Sequence, residues 1–235
     1  MRKAGRMSTR ARWTTGGAIL FAALVFGAIV VASVPMASGS AASTPTAAAT
    51  GLKVAFYGDS YTLGTGASSP EKRWSSVICA ERGWQEFNPS TNGLGFVNNR
   101  EALGVDEPAQ VIAYQPDIVF ITMGLNDAFS YDRAADEIHT AIRADFSKLT
   151  GALPDARFIV VEPFWYLDDR PESILTIIDW VEQAAADIGA DYIPGASKWI
   201  AGHPEWMAAD GLHPNDAGYA AMAERMDAAL KKLEL

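Results

Sequence analysis

The segment at positions 52–60 reads LKVAFYGDS, a short apolar run that stops at a glycine and an aspartate. An apolar run of this length, bounded by turn residues, predicts a buried β-strand that ends in a tight turn. The same pattern recurs at 118–123 (IVFITM) and 157–161 (RFIVV), and a weaker version occurs at 85–88. These four segments predict the strands of one sheet.

Segments with helical periodicity lie between the predicted strands. Apolar residues recur at three- and four-residue intervals in 138–149, 174–188 and 219–233, and a further helix is expected over 70–83. Asn215 or Asp216 is the expected N-cap of the last helix. Strands that alternate with helices favour an α/β fold of three layers, with a central parallel sheet between helices.

The charge is unevenly distributed along the chain. Of its 235 residues, 19 are Lys or Arg and 28 are Asp or Glu, which gives a formal net charge of −9. Residues 1–50 contain five of the basic residues and none of the acidic ones, so residues 51–235 carry 14 basic against 28 acidic residues. A body this acidic repels phosphate backbones, and nucleic acid is not expected as a partner.

The N-terminal region has the composition of an export signal. Residues 16–34 are almost uniformly apolar and follow the basic N-terminus. Such a segment can span a bilayer, and the positive-inside rule places the following chain outside the cytoplasm. We therefore expect a signal peptide or signal-anchor helix in 1–37, a Ser/Ala/Thr/Pro linker in 38–50 and an exported domain in 51–235. The sequence leaves open whether the apolar segment is cleaved or keeps the protein on the membrane.

Cysteine and histidine are scarce, which limits metal chemistry. The single Cys79 excludes an intramolecular disulfide and a multi-thiolate zinc site. The three histidines are too few for most two-metal hydrolytic sites. We expect no metal and no cofactor. His139 is expected to be a solvated or edge residue of its helix, and His203 to have a structural role in its loop, with a substrate contact as the alternative.

Polar residues cluster in the loops where an α/β sheet normally carries its functional groups. Ser60 becomes a nucleophile only if a base removes its proton, and His213 is the candidate base. Asp210 lies three residues before His213 and is placed to orient the imidazole. The backbone amides of Ser60 and Gly93 and the side chain of Asn126 are candidate donors to an oxyanion.

Three short motifs then point to one family: Gly58-Asp59-Ser60-Tyr61, Gly124-Leu125-Asn126-Asp127 and Asp210-Gly211-Leu212-His213-Pro214. In this order they resemble the sequence blocks of the SGNH (GDSL-type) hydrolases over residues 51–235. The resemblance implies a flavodoxin-like fold and metal-free hydrolysis of carboxylic esters through an acyl-enzyme. It also implies a triad of Ser60, Asp210 and His213. The implied oxyanion hole contains Ser60, Gly93 and Asn126.

The choice of Gly93 rests on its position five residues after Asn88, an interval typical of the family, and Gly95 is the alternative. Tyr61, Trp165 and Tyr166 are candidates to line the substrate pocket, and ordinary core packing of the rings of Trp165 and Tyr166 is the alternative. The expected substrate is a small-molecule, lipid or acylated-carbohydrate ester. Two other functions fit the same residues. One is an O-acyltransferase acting on an envelope carbohydrate, and the other is a tethered binding module without catalysis.

Overall fold

The structure is a computed structural model that describes residues 51–235. The signal, anchor and linker predictions for 1–37 and 38–50 lie outside these residues. Within the described part of the chain, no helix is both long enough and apolar enough to cross a membrane.

Five parallel strands form one sheet in the order β2-β1-β3-β4-β5. The strands are β1 (Lys53–Tyr57), β2 (Gln85–Phe87), β3 (Ile118–Ile121), β4 (Arg157–Val161) and β5 (Asp191–Ile193). This order reverses direction at β1, because the chain first adds β2 on one side of that strand and then β3 on the other. It is the flavodoxin-like strand order, in which ligands bind at the carboxyl ends of the two strands flanking the reversal.

Seven α-helices cover the sheet or connect its strands within residues 51–235. They are α1 (Ser60–Leu63), α2 (Trp74–Arg82), α3 (Arg100–Leu103), α4 (Glu107–Tyr114), α5 (Tyr131–Ala152), α6 (Glu172–Asp187) and α7 (Asp216–Lys232). Helices α2 and α7 pack against each other, and α5 contacts both α4 and α6.

Successive residues of the strands are buried on opposite faces of the sheet, as the two-residue period of a β-strand requires. Val54 and Phe56 of β1 belong to the apolar cluster that includes α2 and α7. Ala55 and Tyr57 of the same strand belong to the cluster that includes α4, α5 and α6. The sheet is therefore buried on both sides, and the prediction of a three-layer α/β fold is confirmed.

Two parts of the fold differ from the sequence-based expectation. The helix expected over 70–83 is a 3₁₀ turn at Pro70–Lys72 followed by α2, because Arg73 has extended backbone angles (φ −69°, ψ 148°). Strand β5 and helix α4 were not anticipated. The strand has only three residues and pairs on one side with β4 alone, and such a short edge element leaves little periodicity in the sequence.

The last helix begins where the sequence indicated. The side chain of Asn215 accepts hydrogen bonds from the amides of Ala217 and Gly218, so Asn215 is the N-cap of α7. Gly218 lies directly against the preceding loop, because a Cβ at this position would be 2.4 Å from the carbonyl oxygen of Trp206. The start of α7 therefore needs a glycine for close packing.

Because of this contact, replacing a glycine by alanine is expected to have opposite effects on stability at Gly218 and Gly151. Gly218→Ala is expected to destabilise the protein by about 1–3 kcal/mol, because the new methyl group overlaps a backbone oxygen. Gly151→Ala, near the end of α5 where a Cβ meets no atom within 4 Å, is expected to stabilise it by about 0.5–1 kcal/mol through helix propensity. Urea denaturation of both variants measures the difference. Equal effects of the two substitutions would contradict this packing argument.

Candidate active site

The loop after β1 carries Ser60 and is held by short-range contacts. Gly58 passes so close to β3 that a Cβ on it would be 2.3 Å from Oγ1 of Thr122. Asp59 follows and caps α1, since its Oδ1 accepts a hydrogen bond from the amide of Tyr61 at 2.9 Å. Ser60 is the first residue of α1 and is only 4 % exposed. The serine is thus fixed at the end of the strand on a rigid turn.

The side chain of Asn126 joins this loop to two others. Asn126 begins the 3₁₀ turn Asn126–Phe129 after β3, and it is buried. Its Nδ2 donates to the carbonyl oxygen of Leu94 at 2.9 Å and to Oδ2 of Asp59 at 3.3 Å. The loops that follow β1, β2 and β3 therefore meet at one amide group.

Asp127 holds the loop that contains Gly93. Its buried carboxylate accepts hydrogen bonds from three successive amides, those of Phe96, Val97 and Asn98, at 2.7–3.0 Å. Burial raises the pKa of Asp127, although the three amides act in the opposite direction. The sequence analysis assigned no role to Asp127, yet the residue fixes the conformation of the second loop of the site.

The two candidate glycines, Gly93 and Gly95, differ in the hydrogen bonds of their backbone amides. The amide of Gly95 donates to the carbonyl oxygen of Asn98 at 2.9 Å, and a Cβ on Gly95 would lie 2.5 Å from the carboxylate of Asp127. Gly93 has a φ of +71°, which favours glycine. Within residues 51–235 its amide donates no hydrogen bond to another protein group. Gly93 is therefore the one of the two with an amide free to bind a ligand.

Asp210 and His213 form a compact unit in the loop before α7. Oδ2 of Asp210 lies 2.7 Å from Nδ1 of His213, and Oδ1 accepts from the amides of Leu212 and His213 at 2.9 and 3.0 Å. The hydrogen bond with His213, together with these two amides, lowers the pKa of Asp210 to about 2. The aspartate therefore stays ionised. Because it contacts Nδ1 of His213, it leaves Nε2 free.

Two tyrosines tie the histidine turn and helix α7 to the serine loop. The hydroxyl of Tyr61 donates to the carbonyl oxygen of Leu212 at 2.6 Å, and the hydroxyl of Tyr219 donates to that of Thr65 at 2.8 Å. The rings of Tyr61 and His213 lie 6.1 Å apart between centroids. Tyr61 follows Ser60 in the chain and Leu212 precedes His213. The hydrogen bond between Tyr61 and Leu212 therefore joins the immediate neighbours of Ser60 and His213.

In the described residues no hydrogen bond connects Oγ of Ser60 with the ring of His213. Such contacts commonly become short only when substrate is bound. The loops that carry Ser60 and His213 are more than 140 residues apart in the chain and nevertheless meet at the hydrogen bond between Tyr61 and Leu212.

Buried carboxyl groups lie beneath the serine loop. Oε2 of Glu107 accepts from the amide of Gly58 at 3.2 Å, and Glu107 is fully buried. Burial, with a further contribution from the charge of Asp59, raises the pKa of Glu107 to about 9. Burial likewise raises the pKa of Asp59 to about 7. Sequence reasoning did not single out Glu107, because it lies on a helix that was not anticipated.

The predicted pocket residues are placed differently from one another. Tyr61 and Trp165 are buried in the apolar core, with the ring of Tyr61 stacked on Phe164 at 5.7 Å. Their role in a substrate pocket stays a prediction. Tyr166 does line an open cleft beside the histidine turn.

The remaining histidines lie apart from the Ser60 loop. His203 stacks on Trp206 at 3.5 Å, and its Nδ1 lies 2.8 Å from Glu205. His139 packs against Trp180 on α5 and α6. Among residues 51–235 no group of three or more His, Cys, Asp or Glu side chains is arranged to hold a metal ion.

This arrangement of loops on a flavodoxin-like sheet is that of a GDSL-type hydrolase. The model of the GDSL-like Lipase/Acylhydrolase family matches residues 56–221, and the chain belongs to that family of ester-hydrolysing enzymes. A relative, the GDSL lipase Rv0518 of Mycobacterium tuberculosis, is 30% identical over 198 residues, which cover 77% of this chain and 82% of that protein.

Solved structures share the fold at lower identity. The psychrotrophic esterase EstA from Pseudoalteromonas sp. has a TM-score of 0.63 at 21% identity, covering 77% of this chain and 98% of that chain. Axe2, an acetylxylan esterase from Geobacillus stearothermophilus, has a TM-score of 0.54 at 20% identity, covering 75% and 92%. These similarities support the fold and do not identify the substrate.

The raised pKa of Glu107 predicts a pH-dependent stability. The folded state holds the Glu107 proton more tightly than the unfolded state, so this residue stabilises the protein fully below the unfolded pKa, near 4.3, and the contribution is lost as pH rises toward 9. Glu107→Gln keeps an acceptor for Gly58 without a charge. We expect its melting temperature to fall less between pH 5 and pH 9 than that of the unmodified protein.

The control for this measurement is Glu101→Gln, which changes an exposed glutamate on α3. It is expected to follow the unmodified protein across the pH range. If Glu107→Gln shows the same pH slope as that control, Glu107 does not carry a proton in the folded state.

Proposed function

We propose that this enzyme is a serine esterase that cleaves carboxylic esters through an acyl-enzyme on Ser60. The observation that carries the proposal is the convergence of four loops, those after β1, β2 and β3 and the one before α7, near the carboxyl edge of β1 and β3. Asn126 joins two of these loops to the Asp59–Ser60 turn, and Tyr61 joins the same turn to the loop of His213. The site therefore presents a hydroxyl, an imidazole and free amides to one region.

In the acylation step, Nε2 of His213 accepts the proton of the Ser60 hydroxyl while Oγ attacks the ester carbonyl. The tetrahedral intermediate collapses when the same imidazole donates that proton to the alcohol oxygen, which breaks the C–O bond and releases the alcohol. Water then repeats the sequence on the acyl-enzyme. His213 takes one proton from water and returns it to Oγ, and the carboxylic acid leaves.

Asp210 is assigned the role of orienting His213. Its Oδ2 accepts the Nδ1 proton, which fixes the tautomer with a free Nε2. Its lowered pKa keeps the carboxylate ionised at all pH values where the imidazole works, so it also stabilises the imidazolium formed during attack. Asp210 itself does not exchange a proton in this mechanism.

The oxyanion is assigned to the amides of Ser60 and Gly93 and to Nδ2 of Asn126. Neither backbone amide donates to another protein group within the described residues. Both protons of Asn126 already have protein acceptors, and the contact with Asp59 is the longer of the two. We propose that this longer contact is shared with the oxyanion when the tetrahedral intermediate forms.

We also propose that the enzyme acts outside the cytoplasm. The support comes from the basic residues and the apolar stretch in residues 1–34. An O-acyltransferase would use the same acyl-enzyme with a sugar hydroxyl in place of water, and the chemistry of the site up to that intermediate is identical.

The test of the proposed nucleophile is covalent labelling. The full chain is incubated with a fluorophosphonate probe, and the adduct is mapped by mass spectrometry. Labelling at Ser60 is expected, and Ser60→Ala should abolish it. Ser90→Ala is a matched control, because Ser90 lies on the next loop and is also 4 % exposed. Labelling that persists in Ser60→Ala would refute the assignment of Ser60 as the nucleophile. In a separate assay, added sugar acceptors distinguish acyl transfer from hydrolysis.

A second prediction concerns Asp210. Asp210→Asn keeps an oxygen for the two backbone amides but presents an NH₂ group to Nδ1 of His213, which favours the tautomer protonated at Nε2. We expect kcat for a short-chain ester to fall by roughly 10²- to 10⁴-fold with little change in melting temperature. Asp155→Asn, exposed before β4 at the opposite edge of the sheet, is the control. A fall of less than threefold would remove Asp210 from the mechanism.

A further inference from the structure

A cleft of about 600 Å³ lies beside the turn that carries His213. One wall is the loop after β4, at residues 166–169, and the other is formed by residues 200–211. Its size is within the range of small-molecule binding sites. The side chains that give it an apolar surface are Tyr166, Leu167, Ile200, Pro204, Met207 and Ala208.

The second wall and His213 belong to the same turn. The amide of Ala208 donates to the carbonyl oxygen of His213 at 2.7 Å, and that of Gly211 donates to the carbonyl oxygen of Ala208 at 3.0 Å. Met207 pairs with Pro214 in an isolated antiparallel bridge. A ligand in the cleft therefore lies against the backbone that positions the histidine.

Large apolar side chains are exposed around this cleft. Leu167 is 47 % exposed on its wall, and Phe129, three residues after Asn126, is 52 % exposed. The ring of Phe129 lies 6.4 Å from that of Tyr166, so the two aromatic groups are neighbours. Exposed apolar side chains that cluster beside a reactive site indicate a surface that binds an apolar group.

Hydrogen bonds hold the two walls and the residues next to them in place. Oδ1 of Asp168 accepts from the amide of Gly202 at 2.5 Å, and Arg170 donates to the hydroxyl of Ser197 at 2.9 Å. The indole of Trp165 also donates to the carbonyl oxygen of Asp169 at 2.9 Å. The cleft is thus a formed feature of the fold, and a ligand does not have to create it.

The proposed mechanism indicates which portion of the ester lies on the side of the His213 imidazole. The histidine that deprotonates the serine later gives its proton to the alcohol oxygen, so the alcohol portion leaves from the side of the imidazole. The oxyanion donors Gly93 and Asn126 belong to other loops, after β2 and β3. In this arrangement the acyl portion of the ester lies away from the imidazole.

We propose that the cleft between residues 166–169 and 200–211 binds the alcohol portion of the substrate, and that this portion is an apolar group of several carbons. The proposal rests on the serine-esterase function proposed above and adds the class of alcohol that the site selects. An acyl chain in the same cleft is the competing arrangement.

Isomeric esters test which portion the cleft binds. Butyl acetate and ethyl butyrate have the same formula, as do hexyl acetate and ethyl hexanoate, so each pair differs only in which portion of the ester is long. Hydrolysis by the full chain is followed in a pH-stat, with ethyl acetate as reference. We expect kcat/KM to rise along the acetate series by roughly two- to fourfold per buried methylene, and each acetate to exceed its isomer.

A pair of leucine variants links this preference to the cleft. Leu167→Ser is expected to lower kcat/KM for hexyl acetate by about fivefold and that for ethyl acetate by much less, because the longer alcohol makes the larger contact with the side chain. Leu175→Ser is the matched control. Leu175 is 44 % exposed, lies on α6 and does not line the cleft, so its substitution should change neither rate.

Three results would overturn the proposal. A preference for ethyl hexanoate that Leu167→Ser reduces would place the acyl chain in the cleft. Rates independent of chain length, with Ser60 still labelled by fluorophosphonate, would refute the alcohol site and leave the esterase function intact. The absence of both labelling and hydrolysis would overturn the proposed function, and the alcohol site with it.

Discussion

The side chain of Asn126 is the contact on which the geometry of the site depends. One amide group donates to Asp59 in the loop after β1 and to Leu94 in the loop after β2, while Asn126 itself follows β3. These loops meet because the strand order reverses at β1, which leaves room above the carboxyl ends of β1 and β3. A buried amide with two satisfied donors specifies a single arrangement of the three loops, since any displacement would leave polar groups unpaired.

The same region contains carboxyl groups that are costly to bury. Glu107, which contacts the serine turn, and Asp59, which is part of it, have raised pKa values, and Asp127 is compensated by three backbone amides. A carboxyl group that keeps its proton avoids the free-energy cost of burying a charge and still accepts a hydrogen bond. Asp210 is in the opposite situation, because it is solvent-exposed and has a pKa of about 2. The carboxylate that contacts the histidine is therefore held in the charged form, whereas burial favours the protonated form of Glu107.

The surroundings of the site differ in polarity, because an apolar cleft lies beside one of its loops. The loop after β2 has a free amide at Gly93, and the turn of His213 borders a cleft with the exposed Leu167. An ester that binds across the serine places its carbonyl oxygen toward the amides and its alcohol oxygen toward the imidazole. The proposed selection of apolar alcohols follows from this division between a polar and an apolar side.

The sequence by itself determined the α/β class, the strand at 157–161, the start of the last helix at Asn215 or Asp216 and the family, because these follow from local periodicity and short motifs. Its N-terminal predictions concern residues outside the described part of the chain. Only the tertiary structure decided that Gly95 uses its amide internally while Gly93 does not, and that Trp165 is buried in the core while Tyr166 faces a cleft. The physical reason is that hydrogen-bond partners and burial depend on residues distant in the chain, and a local pattern does not contain them.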